Sequence, residues 1–308
     1  MHGHPLRNGG RVVLLAAARP HTTRSLLHGA TMSTLQLTEH SITSLDVIHC
    51  ADWRVLLAGL PDASVDLCLS DTPYGTTACS WDNVIDLPHW WREMARVMKP
   101  RGAVVMTASQ PYTSVLVMSN LDWFKYSLVW DKGRGTGFQI VSIRPLMSHE
   151  DVLIFGSKGI FYEPQMRPRE KPRISKFNGA TRQFTVSGGR EYIGQTALSK
   201  RYPVSIINFS NDNQSKKHHP TQKPVALFEY LIRTYTQPGA LVLDPFVGSG
   251  TTALAARNTG RHYICGDISR EYVDIARERL AAPYTLPMFD TPAATDRPAP
   301  DQLALFTR

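Results

Sequence analysis

Two short segments about 170 residues apart hold the residue types that could do chemistry together: Asp71-Thr72-Pro73-Tyr74-Gly75 and Asp244-Pro245-Phe246-Val247-Gly248-Ser249-Gly250-Thr251-Thr252. The second sits between an apolar run, Ala240 to Leu243, and a helix-forming run, Ala253 to Arg257. That order reads as strand, glycine-rich turn, helix. Glycines in such a turn let a ligand approach the backbone, and the helix N-terminus offers free N–H groups to the ligand's polar end. The first segment follows another buried-strand pattern, Val65 to Leu69, and supplies a carboxylate, a rigid proline and an aromatic face. Those parts suit a planar ring that bears an amino group. For Asp71 the plain structural alternative is a cap after the strand.

The elements that must position these residues are legible in the periodicity. Val47–Cys50, Val65–Leu69, Ala103–Met106, Tyr126–Trp130, Val152–Phe155, Leu241–Leu243 and Tyr263–Cys265 read as strands. Residues 53–60, 87–98, 224–236, 251–258 and 269–281 read as helices, with Asp52, Asp267 and Ser269 available as caps. The alternation predicts an α/β fold with a doubly wound, largely parallel sheet. Gly248-Ser249-Gly250-Thr251-Thr252-Ala253 also matches the dinucleotide-binding pattern, with Asp267 17 residues beyond Gly250. Beyond that loop and the helix it opens, only one more strand and one helix remain before the tail, too little for a dinucleotide fold, and such a dehydrogenase leaves Asp71 to Tyr74 unexplained. A phosphate-binding P-loop is excluded because Thr251, not Lys, follows Gly250.

An Asp-x-Pro-Tyr segment followed much later by a Phe-x-Gly-x-Gly loop resembles the amino-methylating DNA methyltransferases that use S-adenosylmethionine. The order here is Asp71-Thr72-Pro73-Tyr74, a long middle region, His219-Pro220-Thr221-Gln222-Lys223-Pro224, then the glycine loop. This order is similar to the circularly permuted beta group of that family. Thr72 stands where members most often have a first proline. The resemblance implies that Asp71, Pro73 and Tyr74 serve catalysis: the Asp71 carboxylate and a main-chain carbonyl of Thr72 or Pro73 hold the amine, and Tyr74 stacks on a flipped base. It implies a cofactor site of Asp244, Phe246, Gly248 and Gly250 at the methionine part, Thr221 and Lys223 at its carboxylate, Asp267 at the ribose and Asp52 near the adenine. Helix capping is the alternative for Asp52 and Asp267. An initial Asp in the tetrapeptide implies N6 of adenine as the target, with N4 of cytosine as the alternative.

Charge is concentrated. Residues 156–218 carry twelve Lys or Arg against four acids, matching the +8 of the whole chain, and interleave Phe161, Tyr162, Phe177, Phe184, Tyr192 and Tyr202 among them. This predicts a target-recognition insertion that meets double-stranded DNA through Arg167, Arg169, Lys171, Arg173, Lys176 and Arg182; a solvated loop region is the alternative. The implied organisation is an extension (1–31), a catalytic half (32–155), the insertion (156–218), a cofactor half (219–282) and a Pro- and Asp-rich tail (283–308). Met32 reads as a second start. In the tail, Gln302-Leu303-Ala304-Leu305-Phe306 resembles the peptide with which bacterial DNA-processing proteins dock on the replication sliding clamp. Cys50, Cys68, Cys79 and Cys265 form no CxxC pair, and His218 and His219 are adjacent, so neither a zinc site nor a metal pair is expected. No apolar run approaches the ~20 residues that span a bilayer. A cytoplasmic enzyme is the expected class, with a homodimer left open.

Overall fold

The computed structural model describes residues 42, 44–74, 84–175, 196–210 and 222–282, with backbone alone at 140, 170–175 and 196–198. The extension, the tail with its clamp-like peptide, Cys79, Lys176, Arg182, His218, His219 and Thr221 lie outside these residues, as do the side chains of Lys171 and Arg173.

In chain order the elements are β1 (Val47–Cys50), α1 (Trp53–Ala58), β2 (Val65–Ser70), α2 (Leu87–Val97), β3 (Met98–Ala108), α3 (Tyr112–Ser119), β4 (Phe124–Thr136), β5 (Met147–Phe155), β6 (Arg167–Ser175), β7 (Thr196–Arg201), β8 (Ile206–Asn208), α4 (Val225–Tyr235), β9 (Leu241–Asp244), α5 (Thr251–Asn258), β10 (His262–Asp267) and α6 (Arg270–Ala281). Eight strands form one sheet in the order β1-β10-β9-β2-β3-β5-β4-β8. β5 runs antiparallel to both neighbours, and every other adjacent pair is parallel. The sheet is therefore largely parallel, as the alternation implies, and β5 makes it a mixed one. The cause is local: β4 leads directly into β5, and a short connection without a crossover helix permits only an antiparallel pair.

Successive side chains of a strand leave opposite faces, and here both faces are apolar. Leu67, Leu69, Val105, Val152, Ile154, Val242 and Cys265 pack with Leu227, Phe228, Leu231 and Ile232 of α4, Ala253 and Ala256 of α5 and Ala276 of α6. Cys68, Val104, Met106, Leu153, Phe155, Leu243 and Ile264 face the other way, onto Leu56 and Leu57 of α1, Trp90, Trp91 and Met94 of α2 and Leu116 of α3. A sheet that must bury two faces needs a helical layer on each. Helices α1, α2 and α6 start where a side chain satisfies one of their first N–H groups. Asp52 accepts from Arg54 N at 2.8 Å, and Asp86 from His89 N at 3.2 Å.

The elements not anticipated are α3, β8 and the ribbon β6–β7. α3 lacked a signal because it is apolar on all sides, with Val115 and Met118 exposed. β8 is three residues long, and its stability comes from pairing with β4, where Val129, Trp130 and Asp131 meet Ile206, Ile207 and Asn208.

Leu231 is fully buried in α4, so Leu231→Ala should cost about 2–5 kcal/mol of unfolding free energy. Chemical denaturation measures it, and a loss below about 1 kcal/mol would mean that the helical layer is not packed as described.

Candidate active site

Four adjacent parallel strands, β1, β10, β9 and β2, each end at an aspartate: Asp52 two residues past β1, Asp267 closing β10, Asp244 closing β9 and Asp71 just after β2. From β9 the chain turns through α5 back to β10, while from β2 it turns through α2 on the opposite face to β3. Where successive crossovers diverge, the loops part and leave a crevice at the carboxyl ends of the strands. The glycine loop borders that crevice on one side and Asp71 to Tyr74 on the other.

Asp244 joins the two. Its Oδ1 accepts from Ser70 Oγ at 2.8 Å and from Phe246 N at 3.1 Å, and its Oδ2 accepts from Thr252 Oγ1. Burial pushes its carboxyl up to about 7, against the pull of the hydrogen bonds from Thr252, Phe246 and Ser70. The loop is fixed again on its other side. Asp267 Oδ2 accepts from Gly248 N at 3.0 Å, and its Oδ1 from Ser269 N at 2.8 Å. Gly250, at φ +88°, begins α5, and a Cβ placed there would stand 2.7 Å from the Cβ of Ala276. Only glycine meets both demands. Phe246 packs beside Trp90 and Trp53, with ring centroids 5.9 and 6.3 Å away. Asp52 holds Arg54 through N, Nε and Nη2, and that hydrogen bonding is the main reason its carboxyl is held below the usual range. The capping alternative for Asp52 is thus realised.

Across the crevice, Asp71 is the centre of a polar cluster. Its Oδ1 accepts from the Tyr74 hydroxyl at 2.6 Å and from Thr107 Oγ1 at 2.5 Å, and its Oδ2 from Lys223 Nζ at 2.6 Å. Tyr74 stacks on Tyr112 at 5.4 Å, and Lys223 Nζ lies 5.7 Å from the centre of the Tyr74 ring. Thr72 is buried with its hydroxyl 3.2 Å from Tyr112 Oη. The position where a proline was the usual residue therefore has a polar partner that proline could not serve. Lys223 continues the cluster: Glu150 Oε2 lies 3.3 Å from its Nζ, and Glu150 Oε1 lies 2.6 Å from Lys132 Nζ. Burial alone would lower the Lys223 pKa, but Asp71 and Glu150 outweigh it and hold the ammonium charged.

The structure thus brings Asp71, Pro73 and Tyr74 to one wall and Asp244, Phe246, Gly248, Gly250 and Asp267 to the other. Lys223, expected at the cofactor's carboxylate, has its ammonium 2.6 Å from Asp71 Oδ2 and 3.3 Å from Glu150 Oε2. Thr107, Tyr112, Glu150 and Lys132 escaped the sequence reading. A faint signal existed: Lys132 and Glu150 share strand faces with buried Trp130 and Val152, where charge is costly without a partner.

In the basic region, β6 and β7 pair as an antiparallel ribbon with Arg167 opposite Arg201 and Pro168 opposite Lys200. Arg169 Nε donates to Lys200 O at 3.1 Å. Among the described residues no helix is long and apolar enough to cross a membrane, and no three His, Cys, Asp or Glu gather for a metal ion.

The sequence pattern of the N6/N4 family described as DNA methylase matches residues 65–278. The chain is 29% identical over 253 residues to the Type II methyltransferase M.HpaI of Haemophilus parainfluenzae, covering 76% of this chain and 74% of that protein. It is 48% identical over 89 residues to the putative methylase YubD of Escherichia coli K12, covering 29% and 38%. The M1.HpyAVI–SAM complex superposes with a TM-score of 0.53 at 26% identity, over 76% of this chain and 98% of that one. The cytosine-N4-specific PvuII DNA methyltransferase gives 0.53 at 20% identity, over 78% and 88%, a likeness of fold alone.

Because the folded state raises the Asp244 pKa from 3.8 to about 7, its protonated form is favoured in the native protein. That stability is present in full below pH ~4 and is lost as pH rises through ~7. The unfolding free energy of wild type relative to Asp244→Asn, which cannot titrate, should fall across this window by up to ~1.4 kcal/mol per pH unit. Denaturant titrations at several pH values test this, and a constant difference would count against it.

Proposed function

The chain belongs to the DNA methylase family, and we propose that it transfers a methyl group from S-adenosylmethionine to the exocyclic N6 of an adenine flipped out of duplex DNA. The observation that carries this reading is the state of Asp71. Among the described residues two hydroxyls fill Oδ1, while Oδ2 has one donor, Lys223, and a second lone pair that can accept another. A carboxylate with one open acceptor site, at the divergence of the crossovers, suits an amino group.

The cofactor is S-adenosylmethionine; when bound it supplies an electrophilic methyl group whose bond to sulfur breaks with the electron pair left on sulfur. The residues present fit it. Gly248 and Gly250 have positive φ, and the loop they form is anchored by Asp244 and Asp267. We assign the methionine part to this loop with Asp244 and Phe246 behind it, the ribose hydroxyls to Asp267 and the adenine side to Asp52. We assign Thr221 to the methionine carboxylate and Lys223 to the base pocket.

An exocyclic amine is a weak nucleophile because its lone pair is delocalised into the ring. Asp71 accepts one N–H and a main-chain carbonyl of Thr72 or Pro73 accepts the other, which favours the tetrahedral, partly positive nitrogen of the transition state. The extra proton then leaves through the Asp71 carboxylate. Tyr74, already stacked on Tyr112, offers an aromatic face for the base.

We read residues 32–155 as the catalytic half and 219–282 as the cofactor half, in permuted order. β9, late in the chain, lies between β10 and β2, which supports the permutation. Residues 156–218 are read as the target-recognition region, with Arg167, Arg169, Lys171, Arg173, Lys176 and Arg182 on phosphates. A DNA substrate and the free Cys50, Cys68 and Cys265 support a cytoplasmic location.

Long-read sequencing of DNA from cells that express the chain should show N6-methyladenine in one short sequence context; methyl groups on cytosine N4 would overturn the choice of base. Asp71→Ala should abolish the mark, with turnover reduced at least about 10²-fold, while calorimetry finds S-adenosylmethionine binding nearly unchanged. Turnover close to wild type would remove Asp71 from the mechanism.

Replacing Arg167, Arg169, Lys171 and Arg173 together by Ala should weaken DNA binding and flatten its dependence on salt by up to ~4 contacts' worth, leaving cofactor affinity unaltered. An unchanged slope would make this ribbon an ordinary solvated surface.

A further inference from the structure

The four charged groups in a row, Asp71, Lys223, Glu150 and Lys132, come from four separate elements. Asp71 follows β2, Lys223 precedes α4, Glu150 lies in β5 and Lys132 in β4. Their side chains are between 7 and 21% exposed. Both lysines are buried, and each is in contact with an acid. Partly dry charge in that amount is costly unless each group is paired, and an alternating row of two acids and two ammoniums meets the requirement. The row ends on the carboxylate proposed to receive the amine.

We propose that Glu150 is a positioning residue for methyl transfer: it holds the Lys223 ammonium against Asp71 Oδ2 and neutralises that ammonium beside the nitrogen that becomes positive. This rests on the function proposed above. Oδ1 of Asp71 is filled by Tyr74 and Thr107, so the amine must share Oδ2 with Lys223. Two groups bonded to one oxygen stand a few ångströms apart, a range at which like charges repel strongly away from bulk water. Without a counter-charge, Lys223 would order Asp71 for the reaction and at the same time oppose the charge the reaction creates. Glu150 Oε2, 3.3 Å from Nζ, supplies that counter-charge, and it does so at ion-pair range without hydrogen-bond geometry. Lys132 fixes Glu150 through its other oxygen at 2.6 Å. The groups that face Lys223 are Asp71 and Tyr74 from the segment after β2 and Glu150 from β5, with Lys132 behind the last. The two carboxylates are also what keep Lys223 charged despite burial.

The test is steady-state kinetics of the full chain on a duplex carrying its target sequence, with wild type, Glu150→Gln, and the pair Glu150→Gln/Lys132→Met, which restores the net charge of the row. Methylation by wild type checks the underlying reading. The variants check the role of Glu150. Glu150→Gln should lower kcat at least about tenfold with KM for both substrates within about threefold, and the alkaline limb of the kcat profile should move to lower pH, since one of the two acids holding Lys223 charged is gone. The double variant should recover the melting temperature but neither kcat nor the alkaline limb. Full recovery of kcat in the double variant would overturn the proposal, since Glu150 would then serve only as the partner of Lys132. An unmoved alkaline limb in Glu150→Gln would overturn it as well.

Discussion

The two walls of the crevice are held in register by one buried carboxylate. Asp244 closes β9, accepts from Ser70 at the end of β2 and from Thr252 at the start of α5, and sits in both the strand and the turn that follows it. Ser70 immediately precedes Asp71, so the hydrogen bond that sets the glycine loop also sets the base of the opposite wall. Such a bridge is worth having only where the donors are rigid, and here a strand, a turn and a helix N-terminus supply them. A misplacement of ~1 Å between a nucleophile and its methyl donor is enough to lose much of the rate.

Charge is handled by two different means on the two walls. On the loop side, Asp244 is surrounded by neutral donors, and burial dominates, raising its pKa to about 7. On the other side, Asp71 has an ammonium within 2.6 Å, and that ammonium has a second acid beside it. The loop side needs a shape that holds, which neutral hydrogen bonds provide. On the Asp71 side, two acids flank the buried Lys223 ammonium and keep it charged against the cost of burial.

Parallel strands make this concentration of carboxylates workable. β1, β10, β9 and β2 bring four aspartates to one edge, yet each has separate partners: Arg54, the Gly248 and Ser269 amides, the Ser70–Thr252 pair and Lys223. The reversed strand β5 has its own use. Running antiparallel between β3 and β4, it places Glu150 opposite Trp130, next to Lys132, at the same edge of the sheet.

The sequence alone determined the elements flanking the site, because those carry local signals: Leu67 and Leu69 alternate with residues of the other face, Asp52 and Ser269 begin helices, and Gly248 and Gly250 interrupt a strand–helix boundary. It also singled out Asp71 to Tyr74 and the glycine loop as candidates, since each is contiguous and of unusual composition. The partners of Asp71 were decided only by the tertiary structure. Thr107 and Lys223 bond to it directly, with Tyr112, Glu150 and Lys132 behind them, from points up to 152 residues away in the chain, and nothing local distinguishes Glu150 from a surface acid. A carboxylate's role depends on which charges lie within a few ångströms of it, and those distances are set by packing across the sheet.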